Sequence, residues 1–267
     1  VIARPNLQDL GRGFSKNYTR TDPTPDNDSN GDDYFGFTGG ESGNPDLDPF
    51  RATQADVAYE WYFGDMSYLS GTVFVKAVKS FIANQTTIET HEDDSPAGAS
   101  AGGIDRPFNG SGGSVSGFEV AFQHGWENGW GVNANYTYSA TDADISSTLN
   151  ENVGLPGVSE NALNLVGFFE NDFLSARVAY TWRDEFLSPD RSVFDVGGLE
   201  NGASEFFNDY GQLDANITWD INENLSVVAE GINLTSEEQS SYLGYSDQPM
   251  TYTSQEARFV VGVNYRM

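Results

Sequence analysis

Two histidines, no cysteine and 40 acidic side chains bound the chemistry open to this chain of 267 residues. His91 and His124 stand far apart, and neither has a partner at metal-ligand or H-x-x-x-H spacing. The sequence holds no G-x-S-x-G elbow and no phosphate-cradling P-loop, and without Cys there is neither a thiol nucleophile nor a disulfide. No cofactor, metal ligand or catalytic residue is expected on these grounds. Paired carboxylates of the kind that cleave glycosidic bonds stay open, since they assemble from distant strands. TPDNDSNGDD at 24–33 matches the first half of a calcium loop through Asp26, Asp28, Asn30 and Gly31. The closing bidentate Glu is replaced by Phe37, so the EF-hand reading fails and a looser outer-loop cation site or a solvated acidic loop remain.

The other side chains able to bind something are aromatic and lie between the regular segments: Tyr34, Phe35, Phe37, Phe206, Phe207, Tyr242, Tyr245 and Tyr252. A rigid apolar ring with a polar tip suits stacking against a sugar or a chelate, so these eight are the candidate ligand-binding residues. The alternative is that the loops carrying them pack on one another. The Asn-x-Ser and Asn-x-Thr triplets at Asn17, Asn84, Asn109, Asn135, Asn216 and Asn233 fall partly inside strands and are read as coincidence. With 13 basic residues against 40 acidic ones, a net charge of −27, and no basic stripe, the chain repels nucleic acid.

What positions these residues is a set of strands. In GWGVNANYTYSA (129–140), Trp130, Val132, Ala134, Tyr136 and Tyr138 share one face, and Asn133, Asn135, Thr137 and Ser139 share the other. The same alternation recurs in SARVAYTW, QLDANITWDI and the final ARFVVGVNYRM. Ten strands follow, over about 1–12, 52–63, 67–79, 114–125, 129–140, 159–170, 173–184, 209–221, 224–235 and 256–267. Segments 67–79 and 224–235 alternate less cleanly, with Phe74, Val228 and Ile232 on the polar side. No apolar run approaches 18 residues, so a transmembrane helix is excluded; a membrane barrel is not, because half of each of its strands is polar.

The connections strictly alternate between short (about 64–66, 126–128, 171–172, 222–223) and long (about 13–51, 80–113, 141–158, 185–208, 236–255). Both ends of a soluble sandwich face the same water and give no reason for this. A membrane barrel has short periplasmic turns and long extracellular loops. Of the 40 acidic residues, 25 fall in the long connections or at their edges, and none on the apolar rows of the clearest strands. Trp61, Trp126, Trp130 and Trp219 lie near the short turns and Trp182 near the opposite end, as interfacial girdles require. The expected fold is therefore all-β: an antiparallel transmembrane β-barrel segment of about ten strands, its apolar face on outer-membrane lipid and its Asn/Thr face on a wet or plugged lumen.

Six stretches, in order, resemble the C-terminal part of TonB-dependent outer-membrane receptors. They are GNPDLDPFRATQADVAYEWYF (43–63), GTVFVKAVKSFI (71–82), GSVSGFEVAFQ (113–123), LPGVSENALNLVGFFE (155–170), LSARVAYTWRDEFL (174–187) and LDANITWDINENLSVVAEGINLTSEE (213–238). The resemblance implies a 22-stranded barrel with an N-terminal plug, in the outer membrane of a Gram-negative bacterium. It implies import of a scarce small-molecule nutrient, energised by the TonB complex gripping an N-terminal box, and no enzyme activity. Residues 1–267 would be the C-terminal portion of such a barrel, without the plug and the first strands; VIARPNLQDL at the start reads as the interior of a longer chain. The family usually ends in an aromatic residue read by the barrel-insertion machinery, whereas this chain ends Tyr265-Arg266-Met267. The six stretches resemble receptors from carbohydrate-importing branches, which implies oligosaccharide as the first expectation for the nutrient and a ferric siderophore as the second. The acidic loops, which repel a free anionic chelate, add to the case for the sugar. Two other readings remain open: a self-contained small outer-membrane barrel acting as enzyme or adhesin, and a secreted calcium- and glycan-binding β protein.

Overall fold

A computed structural model describes residues 2–11, 13–21, 34–110, 112–143, 154–189, 193–194 and 203–266. In chain order the first elements are β1 (Ile2–Ala3), α1 (Leu7–Gly11), β2 (Ser15–Thr21), β3 (Tyr34–Glu41), β4 (Phe50–Gly64), β5 (Ser67–Glu92) and β6 (Ala99–Gly110). There follow β7 (Gly113–Gly125), β8 (Trp130–Ala143), β9 (Asn161–Glu170), β10 (Leu174–Arg183), β11 (Phe186–Leu187) and β12 (Val193–Phe194). The last are β13 (Glu205–Phe207), β14 (Tyr210–Asn222), β15 (Leu225–Ile232), β16 (Gln239–Leu243), β17 (Pro249–Thr253) and β18 (Arg258–Tyr265).

Nine of these strands form the wall, an antiparallel sheet in the order β4-β5-β7-β8-β9-β10-β14-β15-β18. They coincide with nine of the ten expected strands. The sheet is open, with β4 and β18 at its two ends unpaired with each other. The register carries one face across the wall, as in the row Tyr59–Gly71–Val120–Tyr136–Leu163–Trp182–Gly211. Outward side chains are bare: Val57 is 71% exposed and Val261 74%. In water such rows would be covered by a second layer; among the described residues none covers them.

The short turns are built from their own side chains. Asn171 Oδ1 accepts from the amides of Phe173 and Leu174 at 3.1 and 2.8 Å, and Asn222 Oδ1 accepts from that of Asn224 at 3.0 Å. Gly129 closes its turn with φ +86°, and a Cβ there would stand 2.2 Å from the carbonyl oxygen of Glu170.

Three departures from the sequence expectation have physical causes. The first expected strand, 1–12, shrinks to β1, which pairs with the start of β4, because Pro5 interrupts the ladder. After it, the amides of Asp9 and Leu10 bond the Asn6 carbonyl and open α1. Next, β5 does not stop near 79 but continues to Glu92 and pairs with β6 from Phe81↔Gly110 to Glu92↔Ala99, a hairpin standing above the wall. Its Thr- and Ile-rich sequence is polar enough to read as loop, yet the β-branched residues suit a strand with a partner. β3 adds to β6 in parallel, and β2 pairs with β3. Finally, the connections 185–208 and 236–255 meet in a four-stranded sheet, β11-β13-β16-β17.

The buried apolar cluster sits at the mouth, on the side opposite the bare rows. There Val78, Phe81, Val115, Leu155 and Leu187 pack together, with Phe206 against them. The long connections thus fold inward over the rim. The calcium-like segment at 24–33 and Met267 lie outside the described residues.

Candidate functional site

A cavity of about 640 Å³ opens between the top of the wall and the four-stranded loop sheet. The wall contributes Ser139 and Thr141 from β8, Glu160 before β9, Asp184 and Glu185 after β10, and Asp209 before β14. The loop sheet contributes Phe186, Leu187, Phe206 and Tyr242. Strand ends supply the polar groups because the alternation that sets out the apolar rows lower down stops at the rim.

The loop-sheet side is rigid. Phe206 and Tyr242 stack with centroids 5.4 Å apart, and Phe186 and Phe207 at 5.2 Å. Tyr242 is 9% exposed, and its hydroxyl donates to Glu185 Oε2 at 3.1 Å. Behind it, the buried Glu205 carboxylate accepts from Ser241 Oγ at 2.6 Å, and Gly244 N bonds Ser204 O at 2.8 Å. Asp184 is held by Asn161, whose Nδ2 donates to Oδ2 at 2.8 Å while its Oδ1 accepts from the Tyr136 hydroxyl at 2.6 Å. The Arg183 guanidinium sits 4.3 Å over the Phe186 ring.

One anchor of the loop sheet is Asn233. Asn233, 3% exposed and at φ +53°, donates from Nδ2 to the carbonyls of Glu237 and Gln255 at 3.0 and 2.9 Å. Its Oδ1 accepts from Glu237 N at 2.8 Å, and its own amide donates to Asp214 Oδ1 at 2.9 Å. Asn tolerates the left-handed backbone, and its amide satisfies the carbonyls where β15 leaves the wall and β18 is about to enter it.

Among the described residues the lining carries four carboxylates, three hydroxyls and aromatic rings, and no Lys, Arg or His. Such a surface accepts hydrogen bonds from hydroxyl or ammonium groups and repels anions. It holds no nucleophile–base pair, and among the described residues no group of three or more His, Cys, Asp or Glu is placed to hold a metal.

The eight aromatic residues expected to bind ligand do not converge. Phe206 and Tyr242 line the cavity, and Phe207 stacks beside it. Tyr245 and Tyr252 are exposed on the loop sheet, where the Tyr252 hydroxyl bonds Glu238. Tyr34, Phe35 and Phe37 belong instead to β3, on the hairpin sheet. Phe37 is 2% exposed, packed edge-on against His91 at 4.6 Å, and is structural. His91 bonds Glu89 at 3.2 Å, and His124 bonds Ser67 at 2.8 Å within an aromatic group of Phe63, Phe122 and Trp126. In the sequence Asp184 and Glu185 are legible only as loop acidity, and Glu160 and Asp209 only as being among the first residues of expected strands; their signal is that each adjoins a strand end.

At the hairpin tip, burial would raise the carboxyl pKa of Asp93, but hydrogen bonds from Ser100 and Ser95 and from the amides of Phe37 and Ser95 outweigh it. They hold the group well below the usual carboxylate range.

Among solved structures the chain is similar to the copper transporter OprC, with a TM-score of 0.58 and 15% identity over 99% of this chain and 35% of that one. It is similar to the siderophore receptor PirA from Pseudomonas aeruginosa, at 0.55 and 18% over 100% of this chain and 38% of that one. It is also similar to the siderophore receptor PiuA from Acinetobacter baumannii, at 0.55 and 17% over 82% of this chain and 29% of that one. The chain spans about a third of the length of these proteins, and at such identity the likeness is one of fold. A search of curated proteins finds no match. The profile of the family described as TonB dependent receptor-like, beta-barrel matches residues 3–234. The chain therefore belongs to the TonB-dependent receptor β-barrel family, whose members are outer-membrane proteins of Gram-negative bacteria.

Proposed function

We propose that this chain forms the C-terminal portion of a larger barrel whose whole receptor captures a scarce small-molecule nutrient at its mouth and imports it with TonB-coupled energy. The open sheet, and the chain's share of about a third of its structural neighbours, support the assignment to part of a barrel. In this reading the outward rows meet outer-membrane lipid, the insertion machinery places the barrel, and TonB acts through a plug-bearing region. The mouth cavity is the capture site in this chain, and Phe206, Tyr242, Asp184 and Glu185 are the residues assigned to it. Of the other expected ligand-binding residues, Tyr245 and Tyr252 extend the same side, while Tyr34 and Phe35 serve only a ligand large enough to reach the hairpin sheet.

The observation that carries the substrate class is a lining that, among the described residues, has four carboxylates and no basic side chain. It favours a neutral polyhydroxylated ligand or a cationic one, and oligosaccharide is the first reading. The second is a metal complex, favoured by the siderophore and copper proteins among the structural neighbours. Titrating the full-length receptor with maltooligosaccharides, a cationic ferric chelate and an anionic ferric catecholate separates these. Tight binding of the anionic catecholate, unaffected by Asp184→Asn and Tyr242→Ala, would remove the cavity from consideration.

A further inference from the structure

The outward face of the wall is not uniformly covered. Gly167 of β9, Ala176 of β10, Ala215 of β14 and Ala229 and Gly231 of β15 lie on two neighbouring registered rows of that face. With the larger side chains around them they leave a recess of about 470 Å³. Trp130, beside the short turn that precedes β8, bounds one end, and Phe259 of β18 bounds the other. At Gly167 an added Cβ would meet no heavy atom within 4 Å. A glycine inside a strand costs strand stability and often marks a bend or a place where a ligand approaches closely; here the small side chains of the neighbouring strands extend the opening into a recess.

We propose that this recess holds one acyl chain of a phospholipid from the periplasmic leaflet as a retained ligand. Its side chains are apolar, and Arg177, Asn216 and Glu230 alternate to the opposite face. The backbone polar groups of the floor are engaged in the sheet ladders, so only hydrocarbon is offered an interaction. The recess is continuous with the bare apolar rows on either side; the inference rests on the reading proposed above, in which those rows meet lipid, so that lipid is the medium at its mouth.

Its run also fits one leaflet. From β8 to β18 are five strand spacings of roughly 4.8 Å, or ~24 Å. With strands tilted by roughly 45° the rows climb about 17 Å along the membrane normal, close to half of a ~30 Å hydrocarbon core. The low end begins at Trp130, an exposed ring beside a short turn, where interfacial aromatics and headgroups meet.

The test is native mass spectrometry of the full-length receptor, exchanged through mild detergent and titrated with palmitoyl-oleoyl-phosphatidylethanolamine. One lipid per receptor is expected to survive exchange, and Gly167→Phe, which fills the recess without moving the backbone, to reduce retained lipid at least tenfold. Gly71→Phe is the control: it lies on the same outward face between Tyr59 and Val120, is equally open, and stands outside the recess. It should leave retention unchanged. If Gly167→Phe does not fold, Ala215→Leu fills the same space from β14. Lipid-free wild type, equal retention in the filled variant, equal loss in the control, or a receptor dimer dissociated by Gly167→Phe would each overturn the proposal.

Discussion

Asn233 ties the loop sheet to the wall, so its removal should be felt both in stability and at the cavity. Asn233→Ala deletes three side-chain hydrogen bonds to the backbone of Glu237 and Gln255. At about 0.5–1.5 kcal/mol each this is roughly 1.5–4.5 kcal/mol. Holding Ala in the left-handed region adds about 1 kcal/mol, giving about 2.5–5.5 kcal/mol in all. Asn233→Gly accepts the backbone angle and isolates the hydrogen bonds, with an expected loss of about 2–4 kcal/mol. The measurement is urea unfolding of the full-length receptor in phospholipid vesicles, combined with hydrogen exchange at the Glu237 amide, which donates to Asn233. A loss below about 1 kcal/mol in both variants, with Glu237 protection unchanged, would refute the anchoring role. Ligand affinity should fall as well, because β16, which carries Tyr242, starts a few residues beyond the knot.

Three further outcomes are expected. Val261→Arg, on a bare row, should cost about 2–4 kcal/mol in vesicles if it lies near the midplane, whereas a water-facing Val would accept Arg freely; unfolding in vesicles decides. Tyr242→Ala should weaken ligand binding about tenfold, from loss of a stacked pair worth about 0.5–1.5 kcal/mol. Tyr242→Phe keeps the stack, loses the Glu185 contact and should weaken binding less, as titration calorimetry would read. For Asp93 the depressed pKa means that its contribution is complete above the ordinary carboxyl value and disappears only as pH falls through the lower folded-state value. Exchange protection of the Phe37 amide should therefore persist at pH 4, where an unperturbed Asp at about 3.9 is roughly half protonated. Asp93→Asn should weaken that protection at neutral pH.

The wall was readable because a two-residue period is imposed along each strand by its own two environments. Trp130 to Tyr138 declare their face without reference to any partner. The turns were readable for the same local reason, since Asn171 and Asn222 close them with their own side chains. The loop sheet was not. β11, β13, β16 and β17 are two to five residues long, too short to show a period, and exist through pairings such as Phe206↔Tyr242 across a wide separation in sequence. The same distance hid the cavity, for Asp184 and Tyr242 meet only after that pairing forms. Aromatic identity alone does not distinguish a ring offered to a ligand from one packed, like Phe37, on His91.

Because β13 and β16 exchange backbone hydrogen bonds, the two longest excursions near the C-terminal end of the wall cannot travel separately. A ligand that pulls on Phe206 also drags Tyr242 and, through Asn233, the entry of the last strand. Capture at this rim would then register as the tilt of a single hinged flap, with its pivot where β15 ends.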